Sequence, residues 1–313
     1  MSSIFTLEKD KETLDKLLAN APVLPNVVSK MMMLDKDSDD YYEEVLSLAS
    51  EDPFIAAKII FLANSAANAG RSKIETLTQA VVRVGVNQVS SLITSISLTK
   101  SFKPTQQSHN NLWLRSLQMA LTATKIAQLN KVNGEQAYLS GLLHEIGRFI
   151  LMATDVEKFN HLPEELIKTS PELVAQEMTL FGYNSVDVTI HILKTWQIPN
   201  TIAHAIMGHL LTTVTDPANQ TEILLSMPEL ETPDTPSMDL EAILTISSAI
   251  CDVIHENPEL DTMDEDEIEL PILEKLANTE TNGLFLPPGA LAKALPLISR
   301  DAKELASSLG VSS

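Results

Sequence analysis

The sequence predicts an all-α protein, and three observations carry that prediction. Leu, Ala, Ile and Met are abundant, while Phe, Trp and Tyr make up only 4% of the 313 residues, a composition that suits helices better than sheets. Apolar residues recur at spacings of three and four, and no stretch of the first 111 residues alternates strictly with period two. Helix punctuation is explicit at Asp52-Pro53, Gly85 and Gly310, the residue types that cap, open and stop helices.

Taken in order, Ile4, Leu7, Leu14, Leu17 and Leu18 space out a helix over 4–20 that ends near Asn20-Ala21-Pro22. Pro25 opens a second helix at its first turn, where a missing N–H is no loss, with Val27, Val28, Met31, Met32 and Leu34 along it. Met31-Met32-Met33 reads as helix packing in preference to a groove for a partner. Asp35 to Asp40 is an acidic loop that caps the next helix at its positive end; Val45, Leu48 and Ala49 are that helix's inner stripe. Asp52 as N-cap and Pro53 at the first position restart the chain into a helix reaching about Ala67, with Ile55, Ile59, Leu62 and Ala63 buried. Helices over Ile74–Val84 and Gln88–Thr99 follow, the second with Val89, Leu92, Ile93 and Ile96 inward. Pro104–Asn111 reads as a polar connector, and Trp113–Asn130 as a long helix closed by Asn133-Gly134. Ala137–Met152 reads as one central helix. Glu164–Phe181 is helical with a break at Pro171, and Val186–Thr195 and Thr201–Leu211 are helices. Residues 212–238 hold four prolines and read as a loop or linker. Leu240–His255 is a helix, 256–269 an acidic solvated loop, and Leu295, Ile298, Ala302, Leu305 and Leu309 mark a final amphipathic helix.

The bulk chemistry excludes several function classes. A net charge of −20 and the lack of any Lys/Arg cluster disfavour nucleic acid and anionic membrane surfaces. One cysteine, Cys251, permits no intramolecular disulfide and suits a reducing cytoplasm; it reads as core. No signal-peptide core and no apolar run of transmembrane length occurs. Gly-x-Gly-x-x-Gly, P-loop, Gly-x-Ser-x-Gly and His-Glu-x-x-His patterns are absent.

One stretch carries chemistry. Gly141-Leu142-Leu143-His144-Glu145-Ile146-Gly147-Arg148-Phe149 sets an adjacent imidazole and carboxylate inside an apolar run. Such a pair is expensive to bury without partners, so it belongs in a polar pocket at the centre of the fold.

With Leu24-Pro25, Asp52-Pro53, Lys58, Ala63-Asn64-Ser65-Ala66, Gln79-Ala80-Val81, Gly85, Gly141 to Gly147, Trp196-Gln197-Ile198-Pro199 and Ala205-Ile206 in this order, the chain resembles an HDOD-domain protein. That family is a helical relative of the HD superfamily of metal-dependent phosphohydrolases. The resemblance spans roughly residues 20–215 and implies an all-α domain that signals through contacts with other signalling proteins. On this reading 1–19 is a leading helix, 20–103 an N-terminal helical subdomain, 104–215 an HD-like subdomain, 216–238 a linker, and 239–313 a C-terminal helical segment folded back on the core.

An HD phosphohydrolase holds its cation with a His, a His-Asp pair and a distant Asp, and the metal polarises a phosphoryl oxygen and acidifies bound water. Carried over residue by residue, the first His falls in Trp113-Leu114-Arg115-Ser116, at Arg115; His144 is kept; the paired Asp is Glu145; and the last Asp is Asp252. Further His positions of related hydrolases fall near Ser185 and at His209. A guanidinium stays protonated and cannot ligate a metal, and Glu for Asp moves the carboxylate by roughly 1.5 Å in a site held to about 0.2 Å. The expectation is therefore a degenerate site with no catalytic residue and no cofactor. Arg115 takes the cation's place and pairs with Glu145, Asp252 or both; if a metal binds, His144 and Asp252 hold it. The alternative is a metal-dependent phosphohydrolase acting on a nucleotide or cyclic dinucleotide, with His209 or His255 joining Asp252. A third reading is a small-molecule sensor with its ligand between the subdomains. Gly182-Tyr183-Asn184 is not the Gly-Tyr-Pro signature of cyclic-dinucleotide enzymes, and His204 and His209 read as surface histidines.

Overall fold

The computed structural model describes residues 8–64, 73–163, 168–214 and 238–311. Among them the secondary structure is helical, with no strand. The predicted linker over 216–238 falls almost wholly outside the described residues, as do Ile4 and Leu7 and the segments 65–67 and 164–167 of two predicted helices.

The first half forms a stack of short helices: α1 (Glu8–Asn20), α2 (Asn26–Met32), α3 (Tyr41–Glu51), α4 (Pro53–Ala63), α5 (Leu77–Val84) and α6 (Val86–Ser101). Their inner stripes are those the spacing gives: Val45, Leu48 and Ala49 on α3 and Ile55, Ile59, Leu62 and Ala63 on α4 are buried. The Asp52 carboxylate caps α4 by accepting the Phe54 N–H at 2.9 Å, and its other oxygen meets Lys100 of α6 at 2.5 Å. Asp40 stands at the N-cap of α3 without a side-chain cap bond, so the acidic loop supports that helix only through the charge at its start. Asn64 ends α4 and ties it to the next element: its amide accepts the Ile74 N–H at 2.8 Å and donates to the Ile74 carbonyl at 2.9 Å. Of the three consecutive methionines, Met31 is buried and Met33 is exposed.

The second half is built around α7 (Gln107–Asn130), the longest helix. It starts six residues before the predicted Trp113, so the expected polar connector is helical from Gln107. The reason is that polar residues of its first turns are buried: His109 accepts the Thr105 N–H at 3.1 Å and packs edge-on against Phe159. The helix closes at Lys131 in the left-handed conformation; Asn133 does not end it but caps the next helix, accepting the Glu135 and Gln136 N–H groups. That helix, α8 (Gly134–Leu143), lies along α7 and is followed by α9 (Ile146–Thr154), α10 (Val156–Phe159), α11 (Pro171–Phe181), α12 (Ser185–Thr195) and α13 (Asn200–Val214). Pro171 opens α11 behind the N-cap Ser170 and does not break a longer helix.

The C-terminal part comprises α14 (Met238–Glu256), α15 (Glu265–Ala277) and α16 (Pro288–Leu309). The acidic stretch expected to be a loop turns helical at Glu265. Asp264 and Glu267 form a reciprocal capping box, and Leu260 and Ile268 are buried. Helix α14 packs on α7, α8 and α13, and α16 packs on α7 and α15. Lys58 of α4 donates to the Ser308 carbonyl in the last turn of α16, placing a cation at that helix's negative end.

Both tryptophans and two phenylalanines gather where these parts meet. The Trp113 and Phe149 rings lie 4.5 Å apart, tilted by 52°, Phe102 lies 6.0 Å from Phe149 and 6.2 Å from Trp196, and the Trp113 indole N–H donates to the Phe102 carbonyl. No single helix among the described residues is long and apolar enough to cross a membrane.

Two glycines permit the closest approaches to neighbouring backbone. A Cβ on Gly141 would lie 2.7 Å from the Ala120 Cα of α7, and one on Gly147 would lie 2.0 Å from the Ser185 carbonyl oxygen and 2.6 Å from the Thr189 hydroxyl of α12. Backbone cannot yield that far without strain. Gly147→Ala should therefore cost at least about 1–3 kcal/mol in urea unfolding. Gly134→Ala, whose methyl would meet only Thr124 Cγ2 at 3.6 Å, should stay within about 0.5 kcal/mol of the parent.

Candidate functional site: a buried charge centre

The predicted central helix is two helices, and the interruption falls on the motif. α8 ends with His144 as its C-cap, and Glu145 (φ −114°, ψ 28°) begins α9. The apolar periodicity runs unbroken through the step, which is why the sequence reads as one helix. The break turns both polar side chains inward: His144 is 3% and Glu145 1% exposed.

Five elements converge there. From α7, Arg115 is buried and its Nη2 reaches Asp252 of α14 at 3.3 Å and Ser248 at 3.4 Å. Asp252 also receives the ammonium of Lys168, which precedes α11. From α9, Arg148 Nη1 lies 3.6 Å from Glu145 Oε2, one turn along the same helix. Thr169 donates to the other Glu145 oxygen twice, from its N–H at 2.6 Å and its hydroxyl at 2.8 Å. From α13, His209 is 4% exposed; its ring sits 6.1 Å from that of His144, and its Nδ1 lies 3.2 Å from the Thr245 hydroxyl. The expectation of a surface histidine at 209 is corrected: position 209 follows Ile202 and Ile206 on the buried stripe of α13. His204 is half-buried, and His255 is exposed and takes no part in the centre.

Ser185, near one expected extra position, instead supports a third buried acid. Its N–H and hydroxyl both donate to Glu177 Oε2 at 2.7 Å. Cys251 is buried beside the Thr122 hydroxyl at 3.6 Å, and burial pushes its thiol up to about 11, so it stays a neutral core residue.

The electrostatics follow from burial and partners. Burial alone raises the Glu145 carboxyl, but Arg148, His144, Arg115 and the Thr169 bonds outweigh it and hold it at about 2. Burial pushes the His144 imidazole down, with Arg115 and Arg148 acting the same way against Glu145. Its Nδ1 lies 2.7 Å from the Gly141 carbonyl, which can only accept, so the proton sits on Nδ1 and Nε2 faces Glu145 Oε2 at 3.8 Å. Burial drives His209 down to about 3, aided by His144. Glu177 shows the opposite outcome: burial lifts it to about 7 because Arg148 and the Ser185 bonds compensate only in part.

A metal centre of the HD type requires several unprotonated donors around one cation. This donor set does not fit that need. Arg115 and Lys168 claim both oxygens of Asp252, Arg148 and Thr169 claim Glu145, and Arg115 stands where a first ligand is expected. Among the described residues no three His, Cys, Asp or Glu side chains are grouped to hold an ion. Arg148, Lys168 and Thr169 were not anticipated from the sequence. Arg148 carried a signal, an arginine three residues after a buried glutamate, whereas Lys168 and Thr169 lie in a short segment without periodicity.

Comparison with known proteins places this geometry. The HDOD domain model matches residues 21–210. A structure of an HDOD domain protein of unknown function from Geobacter sulfurreducens superposes with TM-score 0.62 at 19% identity, covering 95% of this chain and 99% of that one. A candidate phosphohydrolase from Shewanella amazonensis SB2B superposes with TM-score 0.65 at 17% identity, covering 98% and 100%. A candidate signal transduction protein from Marinobacter aquaeolei VT8 gives TM-score 0.65 at 16% identity, covering 96% and 65%. An uncharacterized protein of Treponema pallidum (strain Nichols) is 22% identical over 195 residues, and the chain spans 37% of that relative's length and 60% of its own.

The opposed shifts of the buried groups make a pH signature. Glu177 is raised from 4.5 to about 7, so the folded state holds its proton more tightly than the unfolded chain, and its ionisation lowers stability as pH rises from about 4.5 to 7. Neutral His144 and His209 act in the opposite sense, lowering stability as pH falls below 6.5. The difference between parent and Glu177→Gln isolates the first effect. Urea unfolding at pH 5 and pH 8 should show the variant gaining on the parent by on the order of 1–3 kcal/mol between those values.

Proposed function

The chain belongs to the HDOD family, and we propose that it is a non-catalytic regulatory module that acts through contacts with other signalling proteins. On this reading its HD-type centre has become a structural charge network. The observation that supports it is that fixed cations sit on both acids: Arg115 and Lys168 on Asp252, and Arg148 on Glu145. A guanidinium cannot give up its proton to accept a metal, and an ammonium already bonded to the carboxylate must be displaced before one could bind. Activating a hydrolytic water needs either a bound cation or a general base near neutral pKa. Glu145, held at about 2, and His209, at about 3, are both too acidic for the second role, and Glu177, at about 7, is fully buried with Oε2 taken by two Ser185 donors. What the network can do is fix α7, α9, α11, α13 and α14 relative to one another, and so present a defined outer surface.

The rival reading, a metal-dependent phosphohydrolase, draws on the retained His144 and Asp252 and on the name of the Shewanella relative. Metal analysis separates the two. Purified protein should carry no stoichiometric iron, manganese, zinc or nickel, and added Mn²⁺ or Ni²⁺ should produce no hydrolysis of nucleotides or cyclic dinucleotides. Stoichiometric metal that is lost in Asp252→Asn would overturn the proposal.

The same reading predicts how substitutions behave. Removing one member of a buried charge pair leaves its partner uncompensated, so Arg115→Ala and Glu145→Ala should each cost about 3–5 kcal/mol of stability. Among the molecules that remain folded, capture of partners from native lysate should match the parent. Selective loss of one partner at equal folded protein would show that the centre itself is read by that partner.

A further inference from the structure

A second concave feature lies apart from the charge centre. Where α6, α8 and α16 meet the C-terminal half of α7, three adjoining hollows share Ser91 and Tyr138, and the largest of the three encloses about 350 Å³, within the size range of small-molecule sites. Its apolar floor is taken as the side chains of Leu121 of α7 and of the buried Tyr138 of α8 and Ile298 of α16, in a lining that is otherwise mostly polar. The Tyr138 hydroxyl is already engaged by Ser95 at 2.7 Å, so the cavity meets the ring and not a free donor.

The rim has a different character. In a chain of net charge −20, two lysines, Lys36 and Lys125, line this one cavity, and neither forms an ion pair among the described residues. Two acids share the lining: Glu135 accepts from the Tyr41 hydroxyl, and Asp301 lies 3.7 Å from the Arg300 guanidinium with its Oδ1 outside any hydrogen bond. Helix α6 begins here behind Gly85, which has no side chain to cap it, so the first-turn N–H groups, including those of the rim residues Asn87 and Gln88, receive no side-chain acceptor.

Two unpaired ammonium groups beside an uncapped helix start favour an anion with several acceptor oxygens. The apolar floor favours an organic body attached to it. We propose that this cleft binds a small phosphorylated organic molecule, its phosphate held by Lys36, Lys125 and the start of α6 and its body laid on Leu121, Tyr138 and Ile298. Because α16 supplies part of the floor and is anchored to α4 through Lys58, such a ligand would bridge the N-terminal helices, the α7–α8 pair and the C-terminal helix.

Titration calorimetry on the full chain tests this with AMP, glucose 6-phosphate, adenosine and inorganic phosphate as probes. At least one of the two organic phosphates should bind with Kd below about 1 mM, and adenosine and inorganic phosphate should bind at least about tenfold more weakly. Lys36→Gln combined with Lys125→Gln should weaken the organic phosphate by at least about tenfold while circular dichroism and Tm stay at parent values, since Lys36 is exposed and Lys125 half-buried. Three results each overturn the proposal: neither organic phosphate binding at millimolar concentration, inorganic phosphate binding as well as the organic probes, or binding indifferent to the double substitution. None of the cleft residues belongs to the charge centre, so either outcome leaves the non-catalytic reading to its own metal test.

Discussion

Compensation of buried carboxylates is the constraint on which the rest of the molecule depends. Glu145 is 1% exposed and ionised, a state that costs many kcal/mol unless opposite charge and hydrogen bonds replace water. The contrast with Glu177 is instructive because residue type and burial are the same. Glu145 has an arginine at 3.6 Å, a second guanidinium nearby and two Thr169 donors, and stays far below the ordinary range. Glu177 has two donors from Ser185 and only a shared field from Arg148, and rises to about 7. Charge compensation, not hydrogen bonding alone, decides which buried acid ionises.

Backbone packing makes that compensation possible. Gly141 lets α8 lie against Ala120 of α7, and Gly147 lets α9 lie against Ser185 and Thr189 of α12. Both contacts are closer than a side chain allows, so the chain between them is held at two fixed points. His144 and Glu145 occupy the step between those points, at the end of one helix and the start of the next. A carboxylate at a helix start is favoured by the helix dipole, and Arg148 one turn later can reach back to it. The glycines, the helix break and the ion pair are thus one arrangement, and losing a glycine should disturb the charges as well as the packing.

Much of the fold could be read from the sequence because it rests on periodicity. The inner stripes of α3, α4 and α6 follow from spacings of three and four, and Asp52-Pro53 fixes where α4 begins. The misplaced boundaries share a cause: polar residues that are buried or capped look like loop. His109 and Asn110 hide the first turn of α7, and the acidity of 264–267 hides a capping box that is plain in Asp264 and Glu267. Within the centre, His144 is legible from its apolar flanks, and Arg115 and Asp252 from ordered resemblance. His209 was legible too, since Ile202 and Ile206 place it on a buried stripe. Lys168 and Thr169 were not, because they bond to partners 84 and 24 residues away, which no local pattern records.

The extent of the centre also explains why part of it escapes a family pattern. The matched region ends at residue 210, yet α14 completes the site beyond it. Thr245 faces His209, Ser248 and Asp252 face Arg115, and Asp252 takes Lys168. Their spacing of three and four puts all three on one face of the helix, while Ile243, Ile246 and Ile250 are buried among the core residues. Physics asks little of such a helix: an apolar stripe to lie on α7 and α13, small hydroxyl residues beside it, and one carboxylate at the right height. Many sequences meet that demand, so the stretch carries little that a pattern can recognise. A motif such as Gly141 to Gly147 is the reverse case, because a methyl group on either glycine would collide with backbone. The recognisable part of this protein is therefore the part where packing leaves no choice, and the charge balance of the centre is completed by a helix where packing leaves a great deal.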